Sequence, residues 1–301
     1  MALEDRPNNT VLGALFVALI LGVLSEPKNA LSNPYQIQYR ATWGPLHAAD
    51  IILTYQSENG HYSSTIDLRT RGLTDLLLGI FILGKSEGND ISPGRISPIS
   101  YSQNYHSVRR SPRLLTIKVD PNSGKTQTSI AIFNPPTDDE FWIAEDDQDD
   151  FGFDESHKNS SPSIRVESDI QIPEELRIGT YDPLAAIEIM RRNARRGIRQ
   201  FSIPVYDGHR RYQLNCDVGT VQSRTFGAQI INVLPVQIRF QTVAGFSSSH
   251  LKIWNDRVIE LTLSADEQAM PLEIVSPGTF GITKISIVKH CSDGDPCLVE
   301  P

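Results

Sequence analysis

FSIPVYDGHRRYQLNCDV, Phe201 to Val218, reads as two antiparallel strands joined by a tight turn. Asp207-Gly208 is a strong short-range hairpin signal, because both residues tolerate the positive φ of a primed two-residue turn. With those two residues as the loop, Tyr206 faces His209, Val205 faces Arg210, Ile203 faces Tyr212 and Phe201 faces Leu214. Side chains alternate along a strand, so Phe201, Ile203, Val205, Tyr212, Leu214, Cys216 and Val218 share one apolar face. Arg211, Gln213, Asn215 and Asp217 take the other. On this reading Arg210 lies at the end of the apolar face. Pro204 has no N–H for a ladder bond, which places its strand at a sheet edge or turns its nitrogen to solvent.

The same period of two runs outward from this hairpin. Tyr62, Ser64, Ile66, Leu68 and Thr70 alternate with Ser63, Thr65, Asp67, Arg69 and Arg71, and Ile259, Leu261 and Leu263 alternate with Glu260, Thr262 and Ser264. After a polar turn Leu272 and Ile274 resume the pattern as another hairpin. Further runs at Tyr35 to Thr42, Ile51 to Gln56, Leu114 to Val119, Thr128 to Phe133, Ile230 to Thr242 and Gly281 to Lys289 bring the total to about a dozen strands.

Helices are few. DPLAAIEIMRRNARRG has Asp182 as a cap, Pro183 in the first turn and Gly197 at the exit. Its last turns carry Arg191, Arg192, Arg195 and Arg196, read as a solvated basic face that compensates the helix dipole, with an anion or lipid headgroup contact as the sharper reading. TDLLLGI, Thr74 to Ile80, reads as a second, shorter helix that is too apolar to be exposed and is therefore covered by sheet.

The chain carries a formal charge of -8, and ten acids crowd into Asp138 to Glu155. The rest of the body is nearly neutral, which argues against nucleic acid as a partner. Residues 135–163 read as an acidic, flexible insertion, since like charge at that density opposes compaction. Its oxygens do not line up as a calcium loop. Near the start, VLGALFVALILGVL from Val11 to Leu24 is uncharged, and Ala30 and Ser32 suit a cleavage site. Residues 1–32 thus read as a secretory signal peptide, with an uncleaved anchor as the alternative, and residues 33–301 as a single β-rich domain. In an oxidising compartment Cys291 and Cys297, which flank the short loop SDGDP, are placed to form a disulfide worth about 2 kcal/mol. Cys216 is left as a buried thiol.

Several blocks taken together resemble a known family. They are YQIQYRATWGPLHAADIIL, GHYSSTIDLRTRGLTDLL, DPLAAIEIM, FSIPVYDGHRRYQL and LSADEQAMPLEIVSPGTFG. In this order they resemble a bacterial exported family, the domain of unknown function numbered 3108. Thr70 to Gly72, Tyr206 to Gly208 and the block from Asp266 to Leu272 are the most telling matches. The acidic run departs from that family's pattern. The resemblance implies an antiparallel β-rich envelope protein of diderm bacteria, similar in kind to the half-open barrels that shuttle lipids or lipoproteins, and it implies no activity.

The expected fold is therefore mainly β: an antiparallel, curved open barrel or spiral-like sheet with one or two short helices packed on it. No G-x-S-x-G elbow, H-E-x-x-H, phosphate loop or dinucleotide glycine pattern occurs. The seven His are scattered singly, so no metal, cofactor or catalytic residue is expected. Ser247-Ser248-Ser249-His250, read as strand, puts neighbours on opposite faces and so is not triad geometry.

The expected function is non-enzymatic and periplasmic. A curved sheet that fails to close leaves an apolar trough for a lipid or other hydrophobic ligand, and the protein is at most peripheral to the membrane. Arg69, Arg71, Arg210 and Arg211 are the candidate ligand contacts at its mouth, and Asp207 and Gly208 are turn residues. Arg210 has a plainer reading too, a stem laid on greasy surface with its head in water. The alternatives are a scaffold that docks an envelope protein partner through the acidic insertion or a sheet edge, and an uncharacterised hydrolase.

Overall fold

The computed structural model describes residues 34–92, 95–133, 164–167, 172–226, 229–278, 281–291 and 297. The expected signal segment, the acidic insertion and the SDGDP loop lie outside them.

Among the described residues, fifteen strands form one antiparallel sheet. In chain order they are β1 (Tyr35–Trp43), β2 (Leu46–Glu58), β3 (His61–Thr70), β4 (Phe81–Ser92), β5 (Arg95–Ser107), β6 (Arg110–Val119), β7 (Thr126–Phe133), β8 (Ile164–Glu167), β9 (Gln200–Tyr206), β10 (Arg211–Val218), β11 (Gln222–Phe226), β12 (Gln229–Ala244), β13 (Val258–Ser264), β14 (Pro271–Gly278) and β15 (Gly281–Cys291). The order across the sheet is β8-β7-β6-β5-β4-β3-β2-β1-β15-β14-β13-β12-β10-β9, with β11 added to β12. The first and last strands pair in the middle, Gln36 opposite Cys291. The two ends of the order, β8 and β9, do not pair, so the barrel is open. The edge of β9 is partly covered by Tyr181, whose N–H donates to Pro204 O at 2.8 Å and whose carbonyl accepts from Tyr206 N at 2.9 Å.

The expected hairpin exists with a longer turn. Arg211 pairs with Tyr206 and Tyr212 with Val205, so the loop has four residues, Asp207 to Arg210. Asp207 Oδ1 accepts from His209 N at 3.0 Å and Arg210 N at 2.7 Å, and Asp207 N donates to Arg210 O. The carboxylate thus satisfies the donors of an open turn, and only Gly208, at φ 96°, takes the left-handed conformation. Lengthening the loop by two moves the register by two. The faces are unchanged, and Ile203, Val205, Cys216 and Val218 are buried as the alternation requires. His209 and Arg210 change place, from strand to loop.

Strands β4 and β5 escape the periodicity reading for a packing reason. The inward positions of β4 are Gly84, Ser86 and Gly88, all buried. A Cβ on Gly84 would lie 2.8 Å from Ile66 Cγ2 and 3.7 Å from Leu184 Cδ1, and one on Gly88 would lie 2.7 Å from the Tyr62 ring. Small residues make room there for a helix inside the barrel, so burial leaves no apolar alternation to read.

That helix is α3 (Pro183–Arg195), preceded by α1 (Gly72–Leu78) and α2 (Glu174–Arg177) and followed by α4 (Ser248–Trp254). Asp182 caps α3 by accepting from Leu184 N and Ala185 N at 3.0 Å each, and Gly197 ends the exit turn at φ 75°. Leu184, Ala185, Ala186, Ile189, Met190 and Ala194 are buried against the inner face of the sheet. Three expectations are corrected. Arg191 and Arg192 are buried rather than part of a solvated face, because α3 runs through the interior. Helix α1 buries no residue, because it bridges β3 and β4 beyond the end of the sheet, where no strand can cover it. Ser247 is the N-cap of α4, accepting from His250 N at 3.4 Å, so the Ser-His stretch is helix start and not strand.

Candidate functional site

Helix α3 presents Glu188, Arg191 and Arg192 at i, i+3 and i+4, so both guanidinium groups reach one carboxylate. Arg192 Nε donates to Glu188 Oε1 at 2.7 Å, and Arg191 Nη1 donates to Glu188 Oε2. Beyond the helix, Arg192 donates to both oxygens of Asp90 on β4 and to Tyr55 OH on β2, each at 2.7 Å. Arg191 Nε donates to Ala269 O at 3.2 Å in the β13–β14 turn, and its guanidinium lies 4.2 Å from the centre of the Tyr35 ring. Tyr35 stacks on Tyr55 at 5.5 Å, and Tyr55 on Tyr62 at 6.4 Å. From Tyr62 the contacts return to the start of the helix: its hydroxyl is 3.2 Å from Ser86 Oγ, which donates to Asp182 Oδ2 at 2.7 Å.

The electrostatics follow from burial. Burial alone would raise the Asp90 carboxyl, but hydrogen bonds from Arg192 and Ser57 outweigh it and hold Asp90 below the usual carboxylate range. Among the described residues, no cation pairs with Asp182 to do the same. Burial pushes it up to about 6, against the N–H bonds of Ala185 and Leu184 and the hydroxyl of Ser86. Burial opposes the charge on Arg192 as well, and Asp90 and Glu188 more than restore it. The ionisable groups of the interior therefore spend their hydrogen bonds on one another and on nearby backbone and hydroxyl groups. Their chemical effect is to latch both ends of α3 to β2, β4 and the β13–β14 turn. Among the described residues, no three His, Cys, Asp or Glu side chains gather as a metal site.

The open seam lies between β9–β10 and β6–β7. Tyr206 OH is 3.1 Å from Thr128 Oγ1 and 3.0 Å from Gly208 O, and Arg177 Nη1 donates to Thr126 O at 3.2 Å. Side chains rather than ladder bonds span it. Beside it, a void of about 10 Å³ is lined by Tyr101, Thr180, Asp182 and Tyr206, room for about one water. Outside the barrel, a cleft of about 380 Å³ is lined by Gln56, Glu58, His61, Ser63 and Glu87 among others.

The four expected ligand-contact arginines do not form one mouth. Arg69 is on the outer face of β3, donating to both Asp67 oxygens at 3.2 Å and covering Phe81. Arg71 donates to Asp50 Oδ2 at 2.9 Å. Arg210 lies 5.6 Å over Phe246, with Nη2 3.4 Å from His250 Nδ1. Arg211 donates to Leu176 O at 3.0 Å, and burial lowers its pKa. Strands β3 and β10 stand half the sheet order apart, counted either way round. The interior latch is what sequence reasoning missed. Its signal was the run Leu184 to Met190, apolar around the whole helix except at Glu188, which marks a buried helix and so buried charges at its turns. Cys291 and Cys297 are disulfide-bonded. Cys216 is a free, buried thiol pushed up to about 12 by burial.

A comparison with protein-family models finds no match, and one with curated proteins finds none either. Among solved structures, the chain is similar to a beta-barrel-like protein of domain of unknown function DUF1849 from Brucella abortus. The likeness has 12% identity and a TM-score of 0.48, covering 86% of this chain and 97% of that one. That is a different family from the one resembled in sequence and has no bearing on it.

Proposed function

We propose that this protein is a non-enzymatic component of the bacterial periplasm that binds a lipid or another hydrophobic ligand within its open barrel. The observation that carries the reading is the seam. The inner face of the sheet is largely apolar, and between β6–β7 and β9–β10 it is held by the Tyr206 hydroxyl, 3.1 Å from Thr128 Oγ1. That contact can part without breaking any strand ladder, and an acyl chain entering there passes Tyr101 and Asp182 to reach the apolar inner wall of Ile117, Ile203 and Val205. The latch on α3 fits this role. Buried ion pairs add little net stability, but they hold an element in one discrete position from which it can be released. No described helix is long and apolar enough to cross a membrane, and the reading needs none.

The test is native mass spectrometry of the protein purified from its own envelope, followed by organic extraction and lipid analysis. A stoichiometric lipid supports the reading. A clean apo mass that persists after incubation with envelope lipids overturns it and directs the search to a protein partner by cross-linking.

A further inference from the structure

Strand β8 pairs only with Ile130 to Phe133 of β7, so the first half of that edge, Thr126 to Ser129, has no ladder partner among the described residues. The chain crosses this gap just before α3. Residues 173–180, with α2 at their centre, reach both banks of the seam. On the β6–β7 side Glu174 Oε1 lies 2.8 Å from Lys125 Nζ, and Arg177 Nη1 donates to Thr126 O at 3.2 Å. On the β9–β10 side Leu176 O accepts from Arg211 Nε at 3.0 Å. Thr180, Thr126 and Tyr206 line the same small void, so the crossing segment is one of its walls.

This segment is fixed at its ends and lightly held between them. Ile172 before it is buried in the core, and Tyr181 after it bonds to the β9 edge through Pro204 O and Tyr206 N. Between these anchors α2 buries no residue, and Leu176 and Ile178 are 36% and 44% exposed. Lifting it therefore uncovers little apolar surface. The Lys125–Glu174 pair is exposed on both sides, a kind of ion pair that contributes little in water. Gly179, at φ 70° with nothing within 4 Å of where a Cβ would stand, supplies a pivot beside Tyr181. Closure also leaves two groups unsatisfied, since Arg177 Nε and Thr126 Oγ1 are buried with no hydrogen-bond partner among the described residues. Water reaches both once the segment lifts, so opening recovers hydrogen bonds that the closed form forgoes.

The segment is also coupled to the contact that closes the seam. Burial raises the pKa of the Tyr206 hydroxyl, and the Thr128 hydrogen bond and the Arg177 charge lower it, so Arg177 acts on both. We propose that residues 173–180 are a hinged strap, pinned by Arg177, whose lifting opens the void outward and frees the Tyr206–Thr128 contact to part. The strap is then the gate through which a hydrophobic ligand enters the barrel. That it admits a ligand rests on the carrier reading, whereas that it lifts rests on these contacts alone.

The experiment is iodoacetamide labelling of Thr126→Cys in the protein as recovered from its host. Thr126 is 7% exposed and its hydroxyl has no partner among the described residues, so the new thiol lies under the strap and its introduction breaks no hydrogen bond. Cys216, free and buried on β10, reports global unfolding in the same sample. Labelling at position 126 is expected to be insensitive to low urea, because lifting the strap exposes little surface, whereas labelling of Cys216 rises steeply. Arg177→Ala is expected to speed the first about tenfold and leave the second unchanged. Equal urea dependence at the two thiols overturns the inference, as does an Arg177→Ala effect that is absent or the same at both. Uptake of N-phenylnaphthylamine then separates gate from cargo. A Cβ at Gly124 would lie 3.6 Å from Ile178 Cγ2, so Gly124→Cys with Ile178→Cys can lock the strap by a disulfide. Uptake blocked by the lock supports the gate, and uptake indifferent to it overturns the gate. Urea-insensitive labelling with no uptake by any variant supports the lifting strap and overturns the hydrophobic-ligand reading.

Discussion

Arg192 grips Asp90 with both arms of its guanidinium, Nη1 to Oδ1 and Nη2 to Oδ2 at 2.7 Å each, across 102 residues of chain. The pair fastens the end of α3 to β4. Asp90→Ala leaves Arg192 with Glu188 and Tyr55 but without its outer partner, and should cost about 3 kcal/mol. Combined with Arg192→Met, which removes the stranded cation, the loss should fall well short of the sum of the two single losses. Urea unfolding of the four proteins measures this, and strict additivity would show that the two residues are not coupled.

Asp182 sets a pH dependence of opposite sign to that of Asp90. Its carboxyl ionises at about 6 in the folded chain, above the 3.8 of an open chain. Between these values the folded state holds a proton that the unfolded state has released. Stability should therefore fall as pH rises from about 4 to about 6, by on the order of 2–3 kcal/mol, and then level off. Asp182→Asn keeps a capping oxygen without the titration and should flatten that decline. Asp90, held below its usual range, contributes stability that is lost only as the pH falls through its lowered folded value. Urea midpoints over this pH range, parent against Asp182→Asn, decide the point, and parallel curves would refute the assignment.

Gly208 is required twice, by its φ of 96° and by the approach of Leu115, whose Cδ1 would lie 2.5 Å from a Cβ. Gly208→Ala should destabilise by about 1–3 kcal/mol. Adding Leu115→Ala should relieve the crowding part of that effect but not the backbone part. A neutral Gly208→Ala, read by thermal melting, would contradict both requirements.

The cysteines predict a labelling pattern. With Cys291 bonded to Cys297 and Cys216 buried with its thiol pushed up to about 12, the native oxidised protein should show no thiol reactive to an aromatic disulfide reagent. The denatured, unreduced protein should show one. Cys297→Ser should lose about 2 kcal/mol, the scale of so short a loop. Three reactive thiols in the denatured, unreduced protein would mean the bond is absent.

Much of this molecule is legible residue by residue. The faces of β3, β9, β10 and β13, the Asp182 cap and the Gly197 exit are all local, and local periodicity and capping chemistry report them correctly. The readings that failed turn on what lies above or below a segment. Thr74 to Ile80 is apolar enough to be buried, but the β5–β6 turn that bonds to its Leu77 and Leu78 carbonyls leaves Leu76 and Leu77 exposed. Arg191 and Arg192 have the composition of a wet helix end but sit inside a barrel. The inward face of β4 is buried yet built of Gly and Ser, because a helix occupies the space that larger side chains would have filled.

The sequence by itself determined the strands whose residues alternate, such as β3, β9, β10 and β13, the side their residues take, the helix capped by Asp182 and the place of the Asp207 turn, since these depend on backbone sterics and a period of two that extends over a few neighbours. Tertiary structure alone decided that β1 closes on β15, that the Asp207 loop has four residues rather than two and that α3 is the interior helix. Those outcomes depend on pairings between segments far apart in the chain. Their free energy comes from burial and hydrogen bonding that no single segment contains.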